Sequence, residues 1–148
     1  MKKSIFIAAL IFSGFCIAET TTITNENLTA AILNLSSAPS IEARDNLYKE
    51  LNRATYLVPL VDPTSGEGTN TTPVVVQSPK GGKLQAIFSN QQELSSSKLQ
   101  DITVIEMHAT ELWKTVRANR NIDGVVLNPA RNTLPLNKER ISKISVYE

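Results

Sequence analysis

The stretch Asn121 to Arg131, Asn-Ile-Asp-Gly-Val-Val-Leu-Asn-Pro-Ala-Arg, limits the choice of fold more than any other part of the chain. Val125, Val126 and Leu127 form a short apolar run between Gly124 and Pro129, the pattern of a strand buried on both faces near the middle of a sheet. Pro129 has no backbone donor and biases the preceding residue toward extended geometry. The strand must therefore stop with Asn128, Ala130 and Arg131 emerging at its carboxyl edge. In open sheets that edge is where ligands gather, so Asn128 and Arg131 are the candidate contact residues for a ligand or partner.

The N-terminus reads as an export signal. Lys2 and Lys3 precede an apolar core from Ile5 to Phe15, and Cys16-Ile17-Ala18 offers small residues where a signal peptidase reads. Cleavage is expected after Ala18, giving a periplasmic or secreted protein of bacterial type. A lipoprotein anchored through Cys16 would need a small residue where Phe15 stands. The apolar core is shorter than the roughly 20 residues of a membrane span, so no stable membrane insertion is expected once the leader is gone. Without Lys2 and Lys3 the remaining 13 basic residues face 14 acidic ones, a balance that does not suggest nucleic acid as a partner. Cys16 is the only cysteine and leaves with the leader, so packing alone must hold the domain.

Residues 19–26 read as a polar, flexible lead, and residues 27–148 as one domain. Leu28, Ala31, Ile32 and Leu35 fall at helical spacing, with Thr24 or Asn25 as N-cap. A second helix runs from about Pro39 to Arg53 and should bury Ile41, Leu47, Tyr48, Leu51 and Ala54. Tyr56 to Leu60 is a strand that Pro59 should confine to an edge or terminate. A Gly- and Ser-rich loop follows from Asp62 to Thr72. Val74 to Val76 and Leu84 to Phe88 make a hairpin through Pro79-Lys80-Gly81-Gly82. Ser89 and Gln92 have capping-box spacing for a short helix. Ile102 to Glu106 is a strand, Ala109 to Val116 a helix, Thr133-Leu134-Pro135 a turn, and a last helix starts near Asn137. The fold class is α+β: a single domain with a mixed sheet of about five strands and helices packed on it, in the order ααβββαβαβα.

Catalytic motifs are scarce. His108 is the single histidine and no nucleophile elbow accompanies it, which argues against a histidine-based triad. One imidazole with Glu111 three residues on does not make a zinc site. Gly81-Gly82-Lys83 lacks the leading glycine of a phosphate loop, Gln77 standing there, and Leu84 replaces the magnesium-binding hydroxyl. Asp45, Asp62, Asp101 and Asp123 lie on different elements, so spacing pairs none of them as acid and base. Tyr48, Tyr56, Phe88 and Trp113 sit on apolar faces and are read as core. The expectation is a non-enzymatic domain with no metal and no cofactor.

Several strings together resemble the SseB (enhanced serine sensitivity) N-terminal domain family: Asn27-Leu28, Pro39 with Leu47-Tyr48 and Leu51, Tyr56-Leu57-Val58-Pro59-Leu60, Leu84-Gln85-Ala86-Ile87-Phe88-Ser89 with Glu93-Leu94, and Gly124-Val125-Val126-Leu127-Asn128-Pro129. The resemblance implies an α+β domain with a mixed sheet, no established catalytic residues and no cofactor. Ala130 stands where that pattern has glycine, and Ser89-Asn90 where it has Thr-Ser. The reading that results is an exported module binding another protein through loops beside the sheet, an immunity-type inhibitor of a secreted toxin being one form. The alternative is a small anion or amino acid held by Arg131, aided by the positive end of the helix near Asn137.

Overall fold

The computed structural model describes residues 22–61 and 71–147. The expected leader with its predicted cleavage after Ala18, Cys16, and the Asp62 loop as far as residue 70 lie outside the described residues. Helices α1 (Glu26–Ser37) and α2 (Ile41–Arg53) lead into strands β1 (Thr55–Val61), β2 (Thr72–Pro73), β3 (Val75–Gln77) and β4 (Lys83–Ile87). Helix α3 (Gln91–Ser96), strand β5 (Ile102–His108), helix α4 (Ala109–Ala118), strands β6 (Gly124–Leu127) and β7 (Leu134–Asn137), and helix α5 (Lys138–Ile144) complete the domain. The class is α+β, as expected.

The strands form a three-stranded sheet, order β2-β1-β5, and a four-stranded sheet, order β3-β4-β6-β7. A bridge between Leu57 and Phe88 joins them, each backbone amide donating to the other's carbonyl at 2.9 Å. Only β4 and β6 run parallel; the other pairs are antiparallel.

Two prolines end up in places that proline rules alone do not give. β1 lies between β2 and β5 although it contains Pro59, so the expected edge or terminal position is corrected. Leu57 directs both its backbone groups toward Phe88, and Pro59 accepts from the Val74 amide on that same side at 3.1 Å. Because backbone groups alternate sides along a strand, the donor missing from Pro59 falls at the seam where Val74 separates β2 from β3. The Thr133-Leu134-Pro135 turn is likewise corrected, since Leu134 and Pro135 belong to β7. β7 is an edge strand, where a ladder tolerates proline.

The helices distribute over both faces. Leu28, Leu47, Leu51, Trp113, Val116, Ile141 and Ile144 from α1, α2, α4 and α5 pack with Val125 and Leu127 of β6. On the opposite face Leu94 of α3 packs with Phe88, Ala86 and Val126. Every residue of β6 is buried, and burial of each valine or leucine contributes about 1.5–3 kcal/mol. That satisfies the expectation of a strand apolar on both faces.

Helix α2 departs from its predicted stripe at one end. Ser40 caps it, accepting from the Ala43 amide at 2.9 Å, so Pro39 precedes the helix instead of opening it. The helix phase that this cap sets buries Ala43 and leaves Ile41 71% exposed, a correction to the predicted burial of Ile41. Likewise the capping position of α3 is Asn90, whose Oδ1 accepts from the Glu93 amide at 2.9 Å, and not Ser89.

Tyr56 is fully buried, and its hydroxyl donates to the Leu51 carbonyl at 2.7 Å. Burial holds the phenol protonated well above its ordinary pKa of 10.0. The unfolded chain ionises this group near pH 10 while the folded chain keeps the proton, so stability is full below that pH and falls as pH rises above it. The expected loss is about 1.4 kcal/mol per pH unit. Urea unfolding between pH 10 and 11.5 should show a steeper decline for the wild type than for Tyr56→Phe. Equal slopes would count against it.

Candidate functional site

The carboxyl edge of β6 is built around Ser89, the residue that follows the bridge at the end of β4. Parallel pairing sets Ile87 beside Leu127 and so brings residues 89 and 128 together. The Asn128 side chain accepts from the Ser89 amide through Oδ1 at 3.0 Å and donates from Nδ2 to Ser89 Oγ at 2.9 Å. From the other side, Asn25 at the start of α1 donates its Nδ2 to the carbonyls of Ser89 and Thr55, both at 2.7 Å. Four chain segments, at residues 25, 55, 89 and 128, thus close on one another through two asparagine amides.

Both asparagines have left-handed backbones, φ 46° at Asn25 and 51° at Asn128. The extended geometry expected of Asn128 ahead of proline is corrected. Asparagine tolerates this conformation better than other side chains, and here its amide is bonded to Ser89 while it adopts it. Asn25 stands at the N-cap of α1 but its side chain caps nothing, being directed across to Thr55 and Ser89. The lead read as running through residue 26 is pinned at Asn25, and α1 begins at Glu26.

After Asn128 the chain turns back, with the Arg131 amide donating to the Asn128 carbonyl at 3.1 Å and Thr133 Oγ1 to the same oxygen at 3.2 Å. The Arg131 guanidinium, half exposed, donates from Nη2 to Glu93 Oε1 at 3.3 Å, and Asn132 Nδ2 reaches the same oxygen at 3.5 Å. The Glu93 side chain is only 7% exposed. Its second oxygen, Oε2, is buried with no hydrogen-bond partner among the described residues.

The two residues singled out from sequence therefore occupy the same edge but play different parts. Asn128 is buried, 3% exposed, and both polar atoms of its side chain engage Ser89. Arg131 faces solvent with a carboxylate already at hand. The helix meant to assist an anion is placed elsewhere: antiparallel pairing sets Asn137 opposite Gly124 and Leu134 opposite Leu127, so α5 begins at the other end of β6. An anion at Arg131 would meet Glu93 and gain nothing from α5. His108 serves as the N-cap of α4, its Nδ1 accepting from the Thr110 amide at 3.3 Å. Among the described residues no group of three histidine, cysteine or carboxylate side chains comes together in a way that could hold a metal ion. None of the described helices is long and apolar enough to cross a membrane.

The model of the SseB protein N-terminal domain matches residues 28–143. The chain belongs to the SseB N-terminal domain family. No curated protein and no solved structure matches it. The match runs from within α1 to within α5, and the Ser89–Asn128 contact lies inside it. Asn25, which fastens the same cluster, lies just outside the matched span. In the Ser89-Asn90 pair the serine turns inward to Asn128 and the asparagine caps α3.

Sequence reasoning missed Ser89, Asn25 and Glu93 as members of this edge. Local spacing assigns both Ser89 and Asn25 to helix caps. Their actual partners lie 39 and 64 residues away, and no spacing rule connects such positions. For the Arg131–Glu93 pair, Arg131→Ala is expected to cost about 1 kcal/mol, a charged hydrogen bond discounted for the half-exposed arginine. Chemical denaturation would measure it. A cost above about 3 kcal/mol would mean the pair behaves as fully buried.

Proposed function

We propose that this protein is an exported, non-enzymatic SseB-type module that works by binding another protein. The observation that carries the reading is that the β6 edge is closed by the chain's own groups, Asn128 on Ser89 and Arg131 on Glu93, while large apolar side chains such as Ile41 stand in solvent on a different face. Polar groups paired with one another hold a scaffold together, whereas exposed apolar surface favours association. The leader sequence supports action outside the cytoplasm, and an immunity-type inhibitor of a secreted toxin is the concrete form we favour.

The test is crosslinking of the tagged, processed protein in periplasmic extract, followed by reconstitution of each captured protein with the pure module. Saturable one-to-one binding supports the reading. For the inhibitor form, co-expression must protect cells from the captured protein. Failure to reconstitute any partner removes the proposal.

The ligand-binding alternative makes its own prediction. A ligand that binds only the folded state raises apparent stability, so that alternative requires a higher melting temperature with serine, aspartate or glutamate at about ten millimolar, whereas the module reading expects no change beyond about 1 °C. A larger rise that Arg131→Ala abolishes would restore the small-ligand reading.

A further inference from the structure

An apolar cleft of about 430 Å³ lies between α2, β7 and α5. Its floor is core: Leu47, Leu51 and Leu136 belong to the main cluster, and Leu134 packs against it half-buried. Ile41 stands at its margin, 71% exposed. That exposure is built in, because the Ser40 cap fixes where α2 begins and turns Ala43, not Ile41, into the core. No carboxylate side chain lines the cleft, whereas two guanidiniums do, Arg44 on α2 and Arg140 on α5. Arg44 pairs with its neighbour Asp45 at 3.2 Å. Arg140 makes no ion pair among the described residues, since adjacent Glu139 is engaged with Lys143 at 2.9 Å. The N-terminal end of the 13-residue α2 opens at the same margin, through Pro39 and Ser40, and adds positive potential.

Apolar floor, projecting isoleucine and cationic margin together define complementarity. We propose that this cleft receives an amphipathic helix of a partner protein, whose apolar stripe seats on Ile41 and the half-buried Leu35 and Leu134 and whose flanking carboxylates meet Arg44 and Arg140. The seating is of the helix-in-groove kind, with anchors spaced i, i+3 or i+4, and i+7. Charge at the margin selects the partner and speeds encounter, while the accessible apolar side chains, Ile41 above all, supply affinity. This inference deepens the protein-binding reading given above and rests on it.

The probe is a pair of fluorescent 18-residue peptides, each with leucines at helical spacing, one with glutamates flanking the stripe and one with lysines. Titrated with the processed full chain, the glutamate peptide should bind saturably and the lysine peptide at least about tenfold more weakly. Ile41→Asp, a change at an exposed position, should weaken the glutamate peptide at least about tenfold with unchanged circular dichroism. Arg44→Glu with Arg140→Glu should invert the preference, a gain for the lysine peptide that a merely misfolded variant cannot produce. Binding that is absent, blind to peptide charge, or unchanged by Ile41→Asp overturns the proposal. So does sedimentation showing a dimer that Ile41→Asp dissolves, which makes a second copy the occupant, or Ile41-dependent binding to phosphatidylglycerol vesicles, which makes it a lipid surface. A partner captured and reconstituted from extract that binds all of these variants equally would leave the module reading standing and place its interface elsewhere.

Discussion

Alanine at position 124 is expected to cost at least about 3 kcal/mol of stability, at or beyond the upper end of ordinary overpacking. A β-carbon built on Gly124 would lie 2.1 Å from the Leu136 carbonyl oxygen and 2.8 Å from the Asn137 Cα. Both are backbone atoms of β7, so no rotamer change relieves the clash. Either β7 moves away from β6, losing pairing that runs from Gly124–Asn137 to Leu127–Leu134, or the start of β6 is pushed out of register with β4. Each movement disturbs Leu136 and Leu127, both buried in the main core. With total stabilities near 5–15 kcal/mol, such a loss is a large share of what holds a small domain folded. Urea denaturation of Gly124→Ala beside the wild type checks it. A loss under about 1 kcal/mol would mean that β7 is loosely held, contrary to its buried Leu136.

Nothing in the sequence announces that contact, although the glycine itself is conspicuous. Gly124 could be read as the start of the strand, and the Val-Val-Leu run as its body, because period and flanking residues are local signals. The same holds for α4, whose Leu112, Trp113 and Val116 stripe is buried as predicted. What local signals miss is a second chain segment at close range. β7 was invisible because Pro135 reads as a turn residue, and only its place at the edge of the sheet makes proline acceptable there. Pro59 failed in the opposite direction, since an interior strand accommodates it only where the neighbouring ladder is already broken at Val74. Ile41 fits the apolar spacing of α2 by residue type, yet one capping serine sets the helix phase and leaves it outside.

The candidate edge was legible to the same depth. Asn128 and Arg131 were placed correctly at the carboxyl end of β6, since a strand followed by Asn-Pro has to stop. Their chemistry was not legible, because it depends on Ser89 and Glu93, brought alongside by the parallel pairing of β4 with β6. A parallel pair needs a long crossover, here through α3, β5 and α4, so the partners are distant in sequence by construction. The assistance expected from the final helix failed for a related reason. Inserting β7 reverses the chain direction and carries the start of α5 to the far end of β6.

Replacement of Asn128 by alanine is expected to cost about 3 kcal/mol, from two terms that can be separated. The Ser89 amide and hydroxyl, buried at 1% exposure, would lose the partners that now sit at 3.0 and 2.9 Å, and a buried polar group left unmade costs about 1–3 kcal/mol. Alanine would also have to hold φ near 51°, a left-handed geometry costing about 1–2 kcal/mol for a side chain unable to bond locally. Asn128→Gly removes the second term and retains the first, so it should recover about 1 kcal/mol relative to alanine. Ser89→Ala combined with Asn128→Ala should show a coupling of at least about 0.5 kcal/mol, as expected for two residues in direct hydrogen-bonded contact. These variants also decide between scaffold and contact for the residue itself. If Asn128→Gly lowers stability while partner affinity, measured below the melting transition, stays within about twofold of wild type, Asn128 belongs to the framework. If affinity collapses while stability is unchanged, Asn128 is a contact residue and the closed-edge argument fails with it.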